Sequence, residues 1–190
     1  MAGLAAAATA ARLLMSRPPK LGSIRLGVVD GPSGSGKSTF ALAWARACMP
    51  LVPGPVATLS SDVLATWDDP FGWWDHLEDG VLRPLSRGRA GRLVANDWST
   101  GVPVPARLMS IAPPAVLILE GVSTGRWAIA DRVSVLAWLD LPDRAERLRR
   151  AVERDGEAGR RFLQQWQDDE DRHFAGDGTK LRADLVVRAS

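Results

Sequence analysis

The sequence predicts a three-layer α/β fold, a parallel five-stranded sheet with helices on both faces. Three observations predict it. Short apolar runs alternate with helical patterns along the 190 residues. One run, 115–119 (AVLIL), is wholly apolar, as befits a parallel strand covered on both faces. A glycine-rich turn joins the first apolar run directly to the first helical pattern.

The elements follow in order. Residues 24–30 (IRLGVVD) read as the first strand and 36–47 as the helix after it. The second strand is 56–60 (VATLS), the third 115–119, the fourth 133–139 (VSVLAWL) and the short fifth 184–188 (DLVVR). Helical patterns fill 143–155 and 160–174. Residues 1–15 are Ala-rich, with no charge before Arg12, so the basic start of a signal peptide is missing. They are too short to cross a bilayer and predict a helix lying on the domain, ended by Pro18 and Pro19. The middle segment, 67–105, is rich in Trp, Asp, Gly and Pro and carries a helix near 73–85. It reads as a small lobe without strands, in which at least two of Trp67, Trp73, Trp74 and Trp98 form a core. No repeat or low-complexity linker interrupts the chain, which predicts one domain over 1–190.

Composition excludes several classes. Hydrophobic residues make up 46% and charged residues 24%, which is globular rather than disordered. The 24 Lys and Arg against 22 Asp and Glu include no basic run, so nucleic-acid binding is not expected. The single Cys48 excludes an internal disulfide and a Cys-based zinc site, and its place at the end of a helix predicts burial. No apolar window approaches the roughly 18 residues of a membrane span. The expectation is a soluble, cytoplasmic protein, with homo-oligomerisation left open.

Gly31-Pro32-Ser33-Gly34-Ser35-Gly36-Lys37-Ser38, followed by Thr39, matches G-x-x-x-x-G-K-[ST] between a predicted strand and a predicted helix. Glycines let the backbone wrap so that successive N–H groups point at phosphate oxygens, and the helix N-terminus adds its dipole. Lys37 would reach the outer phosphates and the Ser38 hydroxyl would ligate Mg²⁺, which makes ATP the expected ligand and the fold that of a P-loop NTPase. Lysines at positions 20, 37 and 180 alone leave no N-K-x-D, so a GTPase is excluded. A motor or AAA-type ATPase would need a longer chain and an apolar run ending in Asp-Glu; here the run ends Leu119-Glu120-Gly121.

Two carboxylates stand at strand ends, where ligands of parallel sheets bind. Asp62, after the second strand, can accept a hydroxyl proton or hold Mg²⁺ through water, while Ser60-Ser61-Asp62 can equally cap the next turn. Glu120 is either a ligand of Mg²⁺-bound water or a polar strand end. On a helical wheel of about 100° per residue, Arg147, Arg150, Arg154 and Arg161 share a narrow arc. Arg149 points elsewhere, and Ala145, Leu148 and Val152 take the packing side. The stripe is either a phosphate-neutralising lid or a solvated face paired to Glu146, Glu153 and Asp155, and Gly156 and Gly159 interrupt its register. His173 reads as a packing or capping histidine.

From Gly22 onward these residues resemble the uridine kinase and phosphoribulokinase branch of P-loop kinases, in its short actinobacterial form. The resemblance rests on the P-loop, Ser60-Ser61-Asp62, Trp67-Asp68-Asp69-Pro70, Asn96-Asp97-Trp98, Leu119-Glu120-Gly121, Arg154-Asp155-Gly156 and Arg182-Ala183-Asp184-Leu185-Val186. It implies ATP- and Mg²⁺-dependent phosphoryl transfer, with Asp62 as catalytic base and Asp68 as a nucleoside contact. It also implies a lid over about 147–161, with Arg150, Arg154 and Arg161 on the phosphates, and places Asp97 among the acceptor contacts; the flat rings of Trp74 and Trp98 could themselves sandwich a planar base or line an apolar acceptor pocket. The sequence departs from the family where a Tyr-Asp-Phe element and a base-reading His stand: here are Asn96, Asp97, Trp98 and Gly101. The expected acceptor is a nucleoside such as uridine or cytidine. A sugar or antibiotic-like alcohol, or a nucleotide-binding regulator without transfer, are the alternatives.

Overall fold

A computed structural model describes residues 2–189. The central sheet has strands β1 (Arg25–Asp30), β2 (Val56–Ser60), β5 (Val116–Glu120), β6 (Val135–Asp140) and β7 (Leu185–Arg188). All pairs are parallel and the spatial order is β2-β5-β1-β6-β7. The three middle strands are buried almost end to end, whereas the edge strands β2 and β7 are only partly buried.

Helices α1 (Ala2–Ser16) and α2 (Lys37–Cys48) cover one face. Small residues Ala7 and Ala11 let α1 approach Phe40 and Trp44 of α2, and both pack over Val29, Ile118 and Ala137. Cys48 is buried in the same layer. The opposite face is covered by a helix over 74–86, built from α3 (Trp74–Leu77), a π-helical turn (Glu78–Leu82) and α4 (Arg83–Ser86). Its Leu77, Val81, Leu82 and Leu85 sit over Leu26, Leu117 and Leu119. With helices on both faces, the chain has the three-layer α/β/α architecture that the strand pattern predicts.

The middle segment differs from its expected form. It contains an antiparallel hairpin, β3 (Gly91–Asp97) with β4 (Val104–Ile111), which runs past residue 105. The strand β4 is exposed along nearly its whole length, and only Met109 and Ile111 pack on the core, too few to write a clear alternating pattern on its sequence. Trp73 and Trp74 do join the core, as expected for two of the four tryptophans.

Two long helices follow β6. Asp143 caps α5 (Arg144–Asp155), its carboxylate accepting from the Glu146 N–H at 3.0 Å. Gly156, at φ 93°, ends α5, and a 3₁₀ turn leads into α6 (Arg160–Asp177). A short α7 (Thr179–Arg182) precedes β7. No helix among the described residues is long and apolar enough to cross a membrane.

Candidate active site

The turn from β1 into α2 is the foundation of the site. Gly34 and Gly36 hold φ of 74° and 89°, a left-handed conformation that side chains with a Cβ disfavour. At Gly34 a Cβ would stand 2.4 Å from the Arg147 carbonyl oxygen, so the loop can press against α5 only as glycine. The first N–H groups of α2 have no intrahelical partner, and the loop presents them at its mouth. Lys37 is buried, and its Nζ donates to the Pro32 carbonyl at 3.0 Å.

Sheet order brings the two carboxylates beside this loop. Strand β5 lies between β1 and β2, with Ser60 opposite Glu120 in register, so Asp62 and Glu120 emerge at the same sheet edge as the loop. The Ser38 hydroxyl donates to Glu120 Oε1 at 3.0 Å. Burial, then the nearby Asp62 charge, raise the Glu120 pKa, and Lys37 opposes them. Ser60 Oγ accepts the Asp62 N–H at 3.3 Å, so the capping reading of Ser60 holds alongside any chemical role for Asp62. The Asp62 carbonyl accepts from Trp98 Nε1 at 2.9 Å, which ties the β3–β4 tip to the β2 turn.

A cleft of about 1140 Å³ opens between these parts. Its wall includes Ser33, Gly34, Gly36, Lys37, Ser38 and Thr39 of the loop. Facing them are Asp62, Trp98, Arg150 and Arg154. Of the loop positions, Gly31, Pro32 and Ser35 are buried beneath the cleft surface. Ser35 Oγ and Glu120 Oε2 are buried without a hydrogen-bond partner among the described residues. An orphaned carboxylate oxygen beside the Ser38 hydroxyl fits a Mg²⁺ held partly through water. No group of three or more His, Cys, Asp or Glu suited to a metal occurs among the described residues. An ion at Ser38 and Glu120 would therefore complete its oxygen shell with phosphate and water.

Glu120 is buried beneath the cleft surface, and four further sequence-predicted residues lie off the cleft. Asp68 belongs to the exposed turn before the 74–86 helix, and Asp97 is engaged in its own loop, accepting from Ser99 N and Oγ at 2.8 and 3.0 Å. Trp74 packs on the core side of the lobe, with the Arg126 guanidinium 5.2 Å from its ring centroid. Arg161 is exposed, because the break at Gly156 rotates α6 out of the α5 register.

The arginine stripe divides in the same way. Arg147 is buried and donates to the Leu141 and Pro142 carbonyls at 2.8 and 3.3 Å, so it is a strut under the loop. The packing side therefore centres on Arg147 and Ala151, while Ala145 is exposed. Arg150 and Arg154 reach the cleft, Arg150 pairing with Glu146 at 2.7 Å and Arg154 with Asp155 at 2.6 Å. The Asp155 hydrogen bond, then the charges of Asp155, Asp62 and Glu120, hold the Arg154 pKa above its ordinary value against desolvation. Arg149 turns away and pairs with Glu146 and Glu153 in solvent. His173 packs as expected: its ring centroid lies 4.9 Å from that of Phe71, and burial lowers its pKa.

Sequence reasoning missed two groups. Asp30, wholly buried at the end of β1, accepts from Gly31, Ser123 and Gly125 N–H at 2.7, 2.9 and 2.7 Å, locking the loop to the turn after β5. Burial raises its pKa from 3.8 to about 7, although those hydrogen bonds and Lys37 oppose the shift. The folded state therefore holds a proton that the unfolded chain releases near pH 4. Stability from this group declines as pH rises from about 4 to about 7 and is level above, by an amount on the order of 4 kcal/mol at most. Urea midpoints measured across that range should fall more steeply for the wild type than for Asp30→Asn. Equal slopes would mean Asp30 is ionised in the fold.

Glu170 is the second. Fully buried on α6, its carboxylate accepts the Ser33 N–H at 3.1 and 3.0 Å and the Ser33 hydroxyl. Burial raises its pKa, with Lys37 the largest opposing influence. The sequence does carry a signal for it: Leu163, Gln167 and Glu170 form a buried helical stripe of i, i+4, i+7 spacing, two of whose members are polar. Glu170→Ala should weaken nucleotide binding by about tenfold or more, as loss of hydrogen bonds to a charged group implies. Calorimetric titration with ATP checks this, and an unchanged Kd would reduce the contact to packing.

No protein-family model matches the sequence, and no curated protein matches it. Solved structures do. A candidate uridine kinase from Bacillus stearothermophilus superimposes with a TM-score of 0.60 at 17% identity, over 85% of this chain and 87% of that one. A candidate fructose transport system kinase from a Silicibacter species does so with a TM-score of 0.60 at 19% identity, over 95% of this chain and 98% of that one. The chain has the α/β/α fold of P-loop kinases.

Proposed function

We propose that the protein is an ATP-dependent kinase for a small hydroxyl compound, working in the cytoplasm as one domain with an acceptor lobe over about 67–105, its hairpin continuing to Ile111, and a lid over about 147–161. The observation that carries this reading is the cleft that joins the P-loop to Asp62, a residue whose N–H and carbonyl fix its turn without using the carboxylate. A carboxylate so placed beside a phosphate cradle suits a general base. Hydrolysis of ATP by water alone would not call for the rings of Trp67, Trp98, Phe162 and Trp166, which line the cleft beyond it.

In this reading the P-loop amides and Lys37 cradle the triphosphate. The acceptor hydroxyl attacks the γ-phosphorus and a new P–O bond forms. The bond from the γ-phosphorus to the bridging oxygen breaks, ADP leaves with the electron pair, and the hydroxyl proton passes to Asp62. Arg150 and Arg154 offset charge on the transferring phosphoryl group. Ser38 and Glu120 would hold Mg²⁺, which supplies charge neutralisation at the phosphates.

ADP release measured against a panel of nucleosides, sugars and other alcohols tests the proposal. Stimulation by one acceptor is the expected result; ATP binding without stimulation by any would favour a nucleotide-binding regulator. The two neighbouring arginines give a second check. Arg154→Ala should lower turnover by about ten- to a hundredfold, the range for a hydrogen bond to a charged group. Arg149→Ala, whose partners are solvated Glu146 and Glu153, should stay near wild type. Parallel kinetics decide; equal losses would return the stripe to a surface role.

A further inference from the structure

We propose that the acceptor half of the cleft selects an alcohol with an aromatic or apolar body, held by ring contact rather than by hydrogen bonds to its edges. This rests on the kinase reading and narrows its acceptor. Beyond Asp62 the cleft is walled by Trp67, Trp98, Phe162 and Trp166. Trp67 is the hub: its ring centroid lies 5.3 Å from Phe162 in a stacked pair, and 5.0 and 5.5 Å from Trp98 and Trp166 in edge contacts. Two of these rings come from the lobe and two from α6, so the wall is continuous across both sides of the cleft.

Both indole N–H groups of the lobe's share of the wall, and several of its other polar groups, are engaged with its own chain. Trp98 Nε1 donates to the Asp62 carbonyl at 2.9 Å and Trp67 Nε1 to the Gly101 carbonyl at 2.8 Å. Asn96 Nδ2 donates to the Ala65 carbonyl at 3.0 Å, and Thr100 Oγ1 to the Val102 carbonyl at 3.3 Å. Asp97 and Ser99 satisfy each other. What the lobe offers a ligand is therefore chiefly ring carbon. A molecule with a polar rim would leave water and find few replacement partners there, chiefly the Ser99 and Thr100 hydroxyls, whereas a flat apolar body gains dispersion and loses little. The bond from Trp98 to the Asp62 carbonyl also fixes the ring relative to the base. The acceptor's ring and its hydroxyl must then lie close together.

The test uses the full chain with ATP and Mg²⁺, and four acceptors: benzyl alcohol, tryptophol, uridine and fructose. ADP formation gives kcat/KM, and calorimetry gives ATP binding separately. At least one aryl alcohol should exceed both uridine and fructose by about tenfold or more. Phe162→Ala, a change at a half-exposed ring that should leave the fold intact, should raise KM for that alcohol severalfold while the KM for ATP is unchanged. Trp98→Ala should do so more strongly. Preference for uridine or fructose, turnover of no aryl alcohol, or equal KM in both variants overturns the inference while ATP binding persists. If the wild-type chain fails to bind ATP, the kinase reading itself falls and takes this inference with it.

Discussion

Lys37→Ala is expected to lower turnover by about 10³-fold, comparable to removing a preorganised charge or donor from the oxygen it stabilises. The ammonium is buried in the P-loop and held by a single backbone carbonyl, that of Pro32, so its charge is free to meet phosphate. It also moderates three buried carboxylates: Asp30, Glu120 and Glu170 each lie in its field. Without it those groups should hold protons to still higher pH, and for Asp30, raised to about 7 in the wild type, the resulting loss of stability should fall chiefly above neutrality. Steady-state kinetics, with circular dichroism to verify the fold, measure both effects. Turnover equal to wild type would remove the P-loop from the chemistry.

Asp62→Asn is expected to lower kcat by at least about 10²-fold, the contribution of a positioned general base. ATP affinity should stay within a few-fold of wild type. The substitution preserves the local backbone, because the contacts that fix this turn are the Asp62 N–H to Ser60 Oγ and the Asp62 carbonyl to Trp98 Nε1. Neither involves the carboxylate. Calorimetry and single-turnover kinetics separate the outcomes. Loss of ATP binding with little change in the chemical step would assign Asp62 to the metal site beside Glu120 instead.

The hairpin and α6 show where a linear reading stops. Strand β3 does alternate, with Gly91, Leu93 and Ala95 buried, but two of these three are small and β4 is exposed along nearly its whole length, so the hairpin's periodic trace is faint. Arg147 and Arg150 stand on nearby angles of one helical wheel, yet only Arg150 reaches the cleft. The carbonyls of Leu141 and Pro142 draw Arg147 inward, and a wheel does not contain them. Motif resemblance singles out Asp68, Asp97 and Arg161, and ring chemistry Trp74; each lies off the cleft for reasons of placement that neither signal holds.

By itself the sequence determined the five parallel strands, the helices between them and the loop Gly31–Ser38 at the end of the first strand. These are local properties: an apolar run, a helical period, and glycines where the chain must turn left-handed. Tertiary structure alone decided which side chains share a site. Placing β5 between β1 and β2 set Glu120 against Ser38 and near Asp62, folding α6 back brought Glu170 to Ser33, and docking the hairpin closed four rings into a wall. Such contacts join residues far apart in the chain, and their energies depend on burial and on partners that no local pattern encodes.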